Sequence, residues 1–179
     1  MKPENSIETQ YPVEASQPGR PAGSTNGNRP IPGAGTAEHV TLGGARQGVR
    51  MHFRAQSYDI DFAQHMNNIG YLRWCEDLRL ALLDMVLPLD ESLRQGICPV
   101  VAETNIRYRR PVVLFDMVVG TQYISAIEER FFHTTTELVR ESDGELVAVS
   151  VQKLCIVDME TGRAIEVPQG YKDLYGMEQ

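Results

Sequence analysis

Apolar and polar residues alternate along Val49-Arg50-Met51-His52-Phe53-Arg54-Ala55, the pattern of a strand with one buried face. A polar turn from Ser57 to Asn68 follows. From Ile69 to Leu87 the period lengthens: Tyr71, Trp74/Cys75, Leu78, Ala81/Leu82 and Met85 recur at steps of three and four, which predicts an amphipathic helix. Leu72, Leu80, Leu83 and Val86 widen its apolar surface, so the helix expects cover over much of its circumference. Arg73 and Asp77 lie four apart and can pair on the wet side. Pro88 closes the helix. Strand-like runs occupy Val100–Tyr108, Asp116–Ile127, Phe131–Glu141 and Leu146–Asp158. The charged turn Glu128-Glu129-Arg130 separates the second from the third. Ser142-Asp143-Gly144-Glu145 makes a hairpin before the fourth, and Glu160-Thr161-Gly162 ends it.

The order is strand, long helix, then four strands with connections too short for crossover helices. This predicts an α+β domain with an antiparallel sheet curled around one helix. One helix leaves a sheet edge and a face open, and self-association through the sheet is the usual remedy.

Composition sets the limits of that domain. Residues 1–49 hold eight of the 15 Gly and six of the 10 Pro, with Tyr11 their only aromatic. Their charges cancel, so the net charge of −7 sits on residues 50–179, where 13 basic face 20 acidic side chains. The first 49 residues cannot bury enough apolar surface to offset ordering them, and they read as a disordered arm before one folded domain. An acidic domain is a poor binder of phosphate backbones, which argues against a nucleic-acid partner. No apolar run approaches the ~20 residues of a membrane span, and no signal-type apolar stretch opens the sequence. Cys75, Cys98 and Cys155 have neither disulfide-framework nor zinc spacing, so they read as reduced thiols in a cytoplasmic protein.

The chemistry concentrates in Tyr58-Asp59-Ile60-Asp61-Phe62-Ala63-Gln64-His65-Met66-Asn67-Asn68. Two carboxylates, a histidine and two amides crowd the turn before a buried helix. The first N–H groups of that helix lack internal partners and can polarise a carbonyl oxygen. A nearby carboxylate can attack that carbonyl or activate water. Asp and Asn in this position are also ordinary helix caps, and His65 alone is an ordinary loop residue. A metal reading of Asp59, Asp61 and His65 lacks further ligands at suitable spacing, so no metal is expected. Spacing alone therefore yields a candidate hydrolase site.

The motif DxDxxQHMNNxxYLRW, together with the later block from Val101 to Val112 that contains Arg107-Tyr108-Arg109-Arg110-Pro111, resembles hotdog-fold thioesterases of the 4-hydroxybenzoyl-CoA thioesterase type. The QHMNNxxY portion also resembles acyl-ACP thioesterases. The resemblance covers about residues 50–170 and implies a hotdog fold, with an antiparallel sheet wrapped around one long helix. It implies hydrolysis of an acyl-CoA or acyl carrier protein thioester by a homodimer or homotetramer. No cofactor is expected beyond the coenzyme A or phosphopantetheine of the substrate. The second aspartate of DxD matches Asp61, as nucleophile or general base. The N–H seven residues on, at Asn68, matches the donor that polarises the carbonyl, and His65 matches a candidate catalytic histidine of the acyl-ACP branch. Asp59 is a supporting residue. Many relatives have Gly where this chain has Gln64, a change in the backbone that orients His65.

Arg107, Arg109 and Arg110 form the densest basic cluster of the domain. They read either as contacts for substrate phosphates or as partners of the surplus carboxylates. On a strand, Arg107 and Arg109 share a face and Arg110 points to the other. Tyr71 and Glu103 complete the candidate substrate-binding set, although an exposed Glu103 would be only a solubilising charge. His133 reads as structural, and Cys75 as a small core residue. The rival functions are a noncatalytic acyl-binding hotdog module and a carrier-linked dehydratase, for which no HFPGxPxxPG-like segment is present.

Overall fold

The computed structural model describes residues 35–43 and 46–176. In chain order the elements are β1 (Glu38–Thr41), β2 (Gln47–Arg54), α1 (Asn68–Asp84), α2 (Leu89–Arg94), β3 (Ile97–Tyr108), β4 (Met117–Ile127), β5 (Phe132–Arg140), β6 (Leu146–Asp158), β7 (Arg163–Ala164) and α3 (Gln169–Tyr175). Six strands form one sheet in the order β1-β2-β4-β5-β6-β3, and β7 adds to β6. Every pairing is antiparallel. The expected hotdog arrangement is present, with the sheet curled around α1.

Strand register sets which side chains face the helix. One cross-sheet row is Met51–Gly120–Leu138–Ala148–Tyr108, and the next is Val49–Gln122–Thr136–Ser150–Ile106. On α1, Tyr71, Trp74, Cys75, Leu78 and Leu82 are buried, which is the stripe the spacing predicts. Trp74 stacks on Phe53 of β2 at 5.0 Å. Gly120 lets the helix approach: a Cβ there would lie 2.7 Å from Leu78 Cδ1 and 2.9 Å from Phe53 Cε2. Full burial of a side chain such as Leu78 or Phe53 contributes about 1.5–3 kcal/mol, so this contact is a main anchor of the layer. The short helix α3 closes one end, with Tyr171 stacked on Phe132 at 5.1 Å.

Several elements differ from expectation. The sheet begins before residue 49: β1 pairs with β2 from Glu38↔Arg50 to Thr41↔Gln47. A four-residue edge strand with one bonded neighbour, flanked by glycines, has too little alternation to stand out. Residues 1–34, the greater part of the expected disordered arm, lie outside the described residues. Helix α1 ends at Asp84, and Pro88 caps α2 instead of terminating α1 directly. Arg73 does not form an ion pair with Asp77. It reaches Asp59 at 3.5 Å and lies over the Tyr58 ring, because the turn before α1 folds back across its first two turns. Among the described residues no helix is long and apolar enough to cross a membrane.

Candidate active site

The polar turn is organised by its first aspartate. Asp59 is buried, its carboxylate accepts the Gln56 N–H at 3.0 Å, and its carbonyl accepts the Asn67 N–H at 2.7 Å. With Arg73 against its other oxygen, Asp59 fixes the turn to the helix start. Asp61 sits differently. It is exposed, and among the described residues its Oδ1 accepts only the Ala63 N–H, at 2.8 Å. Its own N–H donates to the His65 carbonyl, and the Gln64 N–H returns to the Asp61 carbonyl, closing a tight turn. That turn needs a left-handed residue, and Gln64 supplies it at φ 62°. The backbone that Gly favours is thus kept with a side chain that tolerates it poorly. His65 lies exposed beyond it.

Asn67 is the cap of α1, its Oδ1 accepting the Gly70 N–H at 2.9 Å. The N–H groups of Asn68 and Ile69 have no partner among the described residues. They carry the positive end of the helix dipole. The Met66 N–H donates to the Val112 carbonyl at 2.8 Å and ties this end of the helix to the segment after β3.

A cavity of about 360 Å³ opens between these two segments, lined by His65, Met66, Asn68, Tyr71, Tyr108, Arg109, Arg110 and Pro111. It gathers five of the sequence-derived candidates: His65, Asn68, Tyr71, Arg109 and Arg110. Asp61 lies outside its lining, on the turn that leads into it. Arg107 and Glu103 are exposed on β3 away from the cavity. The expected strand alternation of the arginines stops at Tyr108, because the Arg109 and Arg110 N–H groups both donate to the Val147 carbonyl, at 2.8 and 3.2 Å. That convergence places both side chains along the cavity and leaves Arg107 behind. Arg110 also reaches Glu145 at 3.6 Å, whereas Arg109 makes no ion pair among the described residues.

Burial raises the Tyr71 hydroxyl above its ordinary pKa, opposed by a hydrogen bond to the Val112 backbone, and burial likewise raises Tyr108. The two rings meet edge to face at 5.0 Å and form the inner wall. Sequence reading did not single out Arg140. Its guanidinium donates to the Pro111 carbonyl at 2.8 Å while holding Asp143 and approaching Asp116, so it sets the position of the outer wall. The only sequence signal was a basic residue ending a strand opposite the turn aspartate, three residues on. Elsewhere His133 bonds Glu128 at 2.8 Å on the surface, and Cys75 is fully buried. No cluster of three or more His, Cys, Asp or Glu side chains could hold a metal ion among the described residues.

Residues 56–174 match a family described as the thioesterase-like superfamily. The long-chain acyl-CoA thioesterase FadM of Escherichia coli strain K12 is 26% identical over 117 residues, covering 65% of this chain and 89% of FadM. A Staphylococcus aureus protein solved in complex with CoA superposes with TM-score 0.65 at 21% identity, over 70% of this chain and 79% of that one. A 1,4-dihydroxy-2-naphthoyl-CoA thioesterase from Synechocystis gives TM-score 0.65 at 15% identity, over 72% of this chain and 95% of that one. At such identities the two structures establish the shared fold alone. The match to the family itself runs from the turn before Asp59 through α3, and this chain belongs to the thioesterase-like superfamily.

Proposed function

We propose that the chain hydrolyses acyl thioesters of coenzyme A, with Asp61 as nucleophile or general base and the Asn68 N–H as the carbonyl-polarising donor. The observation that carries this reading is the cavity itself. One wall is a helix N-terminus with unpartnered N–H groups, the other bears the arginines, and the Asp61 turn lies at its entrance. The thioester oxygen would accept from Asn68, where negative charge develops in the transition state. In the general-base route a water oxygen bonds to the carbonyl carbon, its proton passes to Asp61, and the C–S bond breaks as sulfur takes that proton. In the nucleophilic route an Asp61 oxygen bonds to the carbon and the C–S bond breaks, releasing coenzyme A thiolate; water then cleaves the resulting anhydride to the acid and the Asp61 carboxylate, and the proton released goes to the thiolate. His65, which lines the cavity, would orient the water or the leaving thiol.

Arg109, without an ion pair, and Arg110 suit the phosphates of coenzyme A, and a phosphopantetheine carrier would offer the same chemistry at one phosphate. Arg107 and Glu103, outside the cavity, take part only if a second subunit brings them to its own site. Among the described residues β3 ends the sheet with an unpaired edge, so a second copy is the natural complement, giving a homodimer or a pair of dimers. The free thiols Cys75, Cys98 and Cys155 fit a cytoplasmic setting for a coenzyme A ester hydrolase. A noncatalytic module would be favoured by a buried, cation-paired Asp61 or a filled cavity. Asp61 is exposed, its carboxylate accepts only a backbone N–H among the described residues, and the cavity is open.

The test is release of free thiol from short, long and aromatic acyl-CoAs and from an acyl carrier protein ester. Enzyme-dependent hydrolysis of at least one coenzyme A ester is expected. No release from any of them would overturn the proposal.

A further inference from the structure

The polar turn and α1 meet at one apolar side chain. Met66 is 5% exposed and lines the cavity beside His65 and Asn68. Its backbone is fixed on two sides, by the N–H bond to the Val112 carbonyl at 2.8 Å and by a bridge to Ile60 across the Asp61 turn. What remains free to move is the side chain, and an unbranched thioether changes shape at little cost.

Gly70 decides where that side chain lies. A Cβ at Gly70 would stand 2.6 Å from Met66 Cε, 3.2 Å from Met66 Cγ and 3.5 Å from Asp59 Oδ1. The thioether therefore rests on bare backbone in the first turn of α1, in space that any other residue would fill. Gly70 is not among the residues of positive φ, so its backbone conformation does not call for glycine. Glycine costs a helix up to about 1 kcal/mol relative to alanine, and the seat for Met66 is what that cost provides. The helix backbone and the Asp59 carboxylate bound this seat on one side, and the cavity opens on the other.

Resting on the thioesterase reading, we infer that Met66, seated on Gly70, sets the size of acyl group that the cavity accepts. With the carbonyl oxygen at the Asn68 N–H and the coenzyme A arm towards Arg109 and Arg110, the acyl group is left on the α1 side, against Met66 and Tyr71. Shortening Met66 deepens the cavity towards Gly70. A methyl group added at Gly70 does the reverse, because it pushes the thioether out of its seat and into the cavity. One methylene more or less in an apolar pocket changes kcat/KM by about 10–200-fold, so both changes are large enough to read.

The experiment measures kcat/KM of the full-length protein for butanoyl-, hexadecanoyl-, benzoyl- and 4-phenylbenzoyl-CoA, in wild type, Met66→Ala, Gly70→Ala and the double variant. The readouts are the ratios of hexadecanoyl to butanoyl and of 4-phenylbenzoyl to benzoyl, in which any uniform loss of activity cancels. At least one ratio is expected to rise about tenfold or more in Met66→Ala and to fall about tenfold or more in Gly70→Ala. In the double variant the added methyl has no thioether to displace, so that ratio stays above the wild-type value. Melting temperatures verify folding, and Met66→Val takes the place of Met66→Ala if the latter does not melt cooperatively. Ratios that do not move, or that move the same way in both single variants, overturn the inference and leave the thioesterase reading standing. So does a double variant as restrictive as Gly70→Ala, since the methyl would then act without Met66. Failure of the wild type to hydrolyse any of the esters overturns the thioesterase reading and this inference with it.

Discussion

Asp77 offers the sharpest stability prediction. It lies half-buried on α1, and its carboxyl is pushed up from 3.8 to about 6, by burial first and by neighbouring Glu76 second. Arg73 opposes this, but it is directed to Asp59 and cannot form the close pair that its spacing from Asp77 suggests. Below pH 3.8 the carboxyl is protonated in both folded and unfolded chains and carries no penalty. As pH rises towards 6 the unfolded chain ionises freely while the folded chain resists, so stability is lost across that window and stays lost above it. At about 1.4 kcal/mol per pKa unit the ceiling is about 3 kcal/mol, and solvent screening of a half-exposed group reduces it to about 1–2 kcal/mol. Asp77→Asn keeps the shape without the charge. Urea unfolding should find the variant equal to wild type near pH 4 and about 1–2 kcal/mol more stable at pH 8. Equal stabilities at pH 8, or a gain that is the same at both pH values, would refute the reasoning.

Three further outcomes follow from the geometry. Gln64→Gly should raise stability by up to about 1 kcal/mol, since relief of the left-handed strain of about 1–2 kcal/mol exceeds the entropy that glycine adds to the unfolded chain; thermal melting measures this, and a lower midpoint would mean that the Gln64 side chain is needed. Arg109→Ala should raise KM for a coenzyme A ester about tenfold, with little rise for the matching phosphate-free pantetheine thioester, because only the phosphate contact is removed. Gly120→Ala should destabilise by about 1–3 kcal/mol in chemical denaturation, because the added methyl lies within contact distance of Leu78 and Phe53 and neither can withdraw without opening the core.

What was legible in the sequence was what periodicity encodes. The spacing from Tyr71 to Leu82 gave the buried stripe of α1, and Asp143-Gly144 gave the hairpin, where Gly144 takes φ 72°. Helices α2 and α3, of six and seven residues, are too short for a face to repeat, and β1 is too short to show alternation. At the site, the polar turn and the two arginines of the cavity could be named in advance. The departure of Arg109 from strand alternation could not, because it depends on a single carbonyl of β6 accepting two N–H groups. The contrast between buried Asp59 and exposed Asp61 was also hidden, since both belong to the same three-residue motif. The polar rows under α1 needed register: Gln122 occupies the same strand phase as Val118, Gly120 and Ile124, and only its alignment with Thr136 and Ser150 shows that the polarity is continuous.

The central claim is that the Asp61 turn performs thioester hydrolysis beside the helix N-terminus. Its most direct test is single-turnover hydrolysis of an accepted acyl-CoA by wild type and by Asp61→Asn, with oligomeric state and melting temperature measured on the same samples. A loss of at least about a hundredfold in rate is expected, within the range for removing a catalytic base, with assembly and melting unchanged. Wild-type turnover by a folded Asp61→Asn protein would contradict the account.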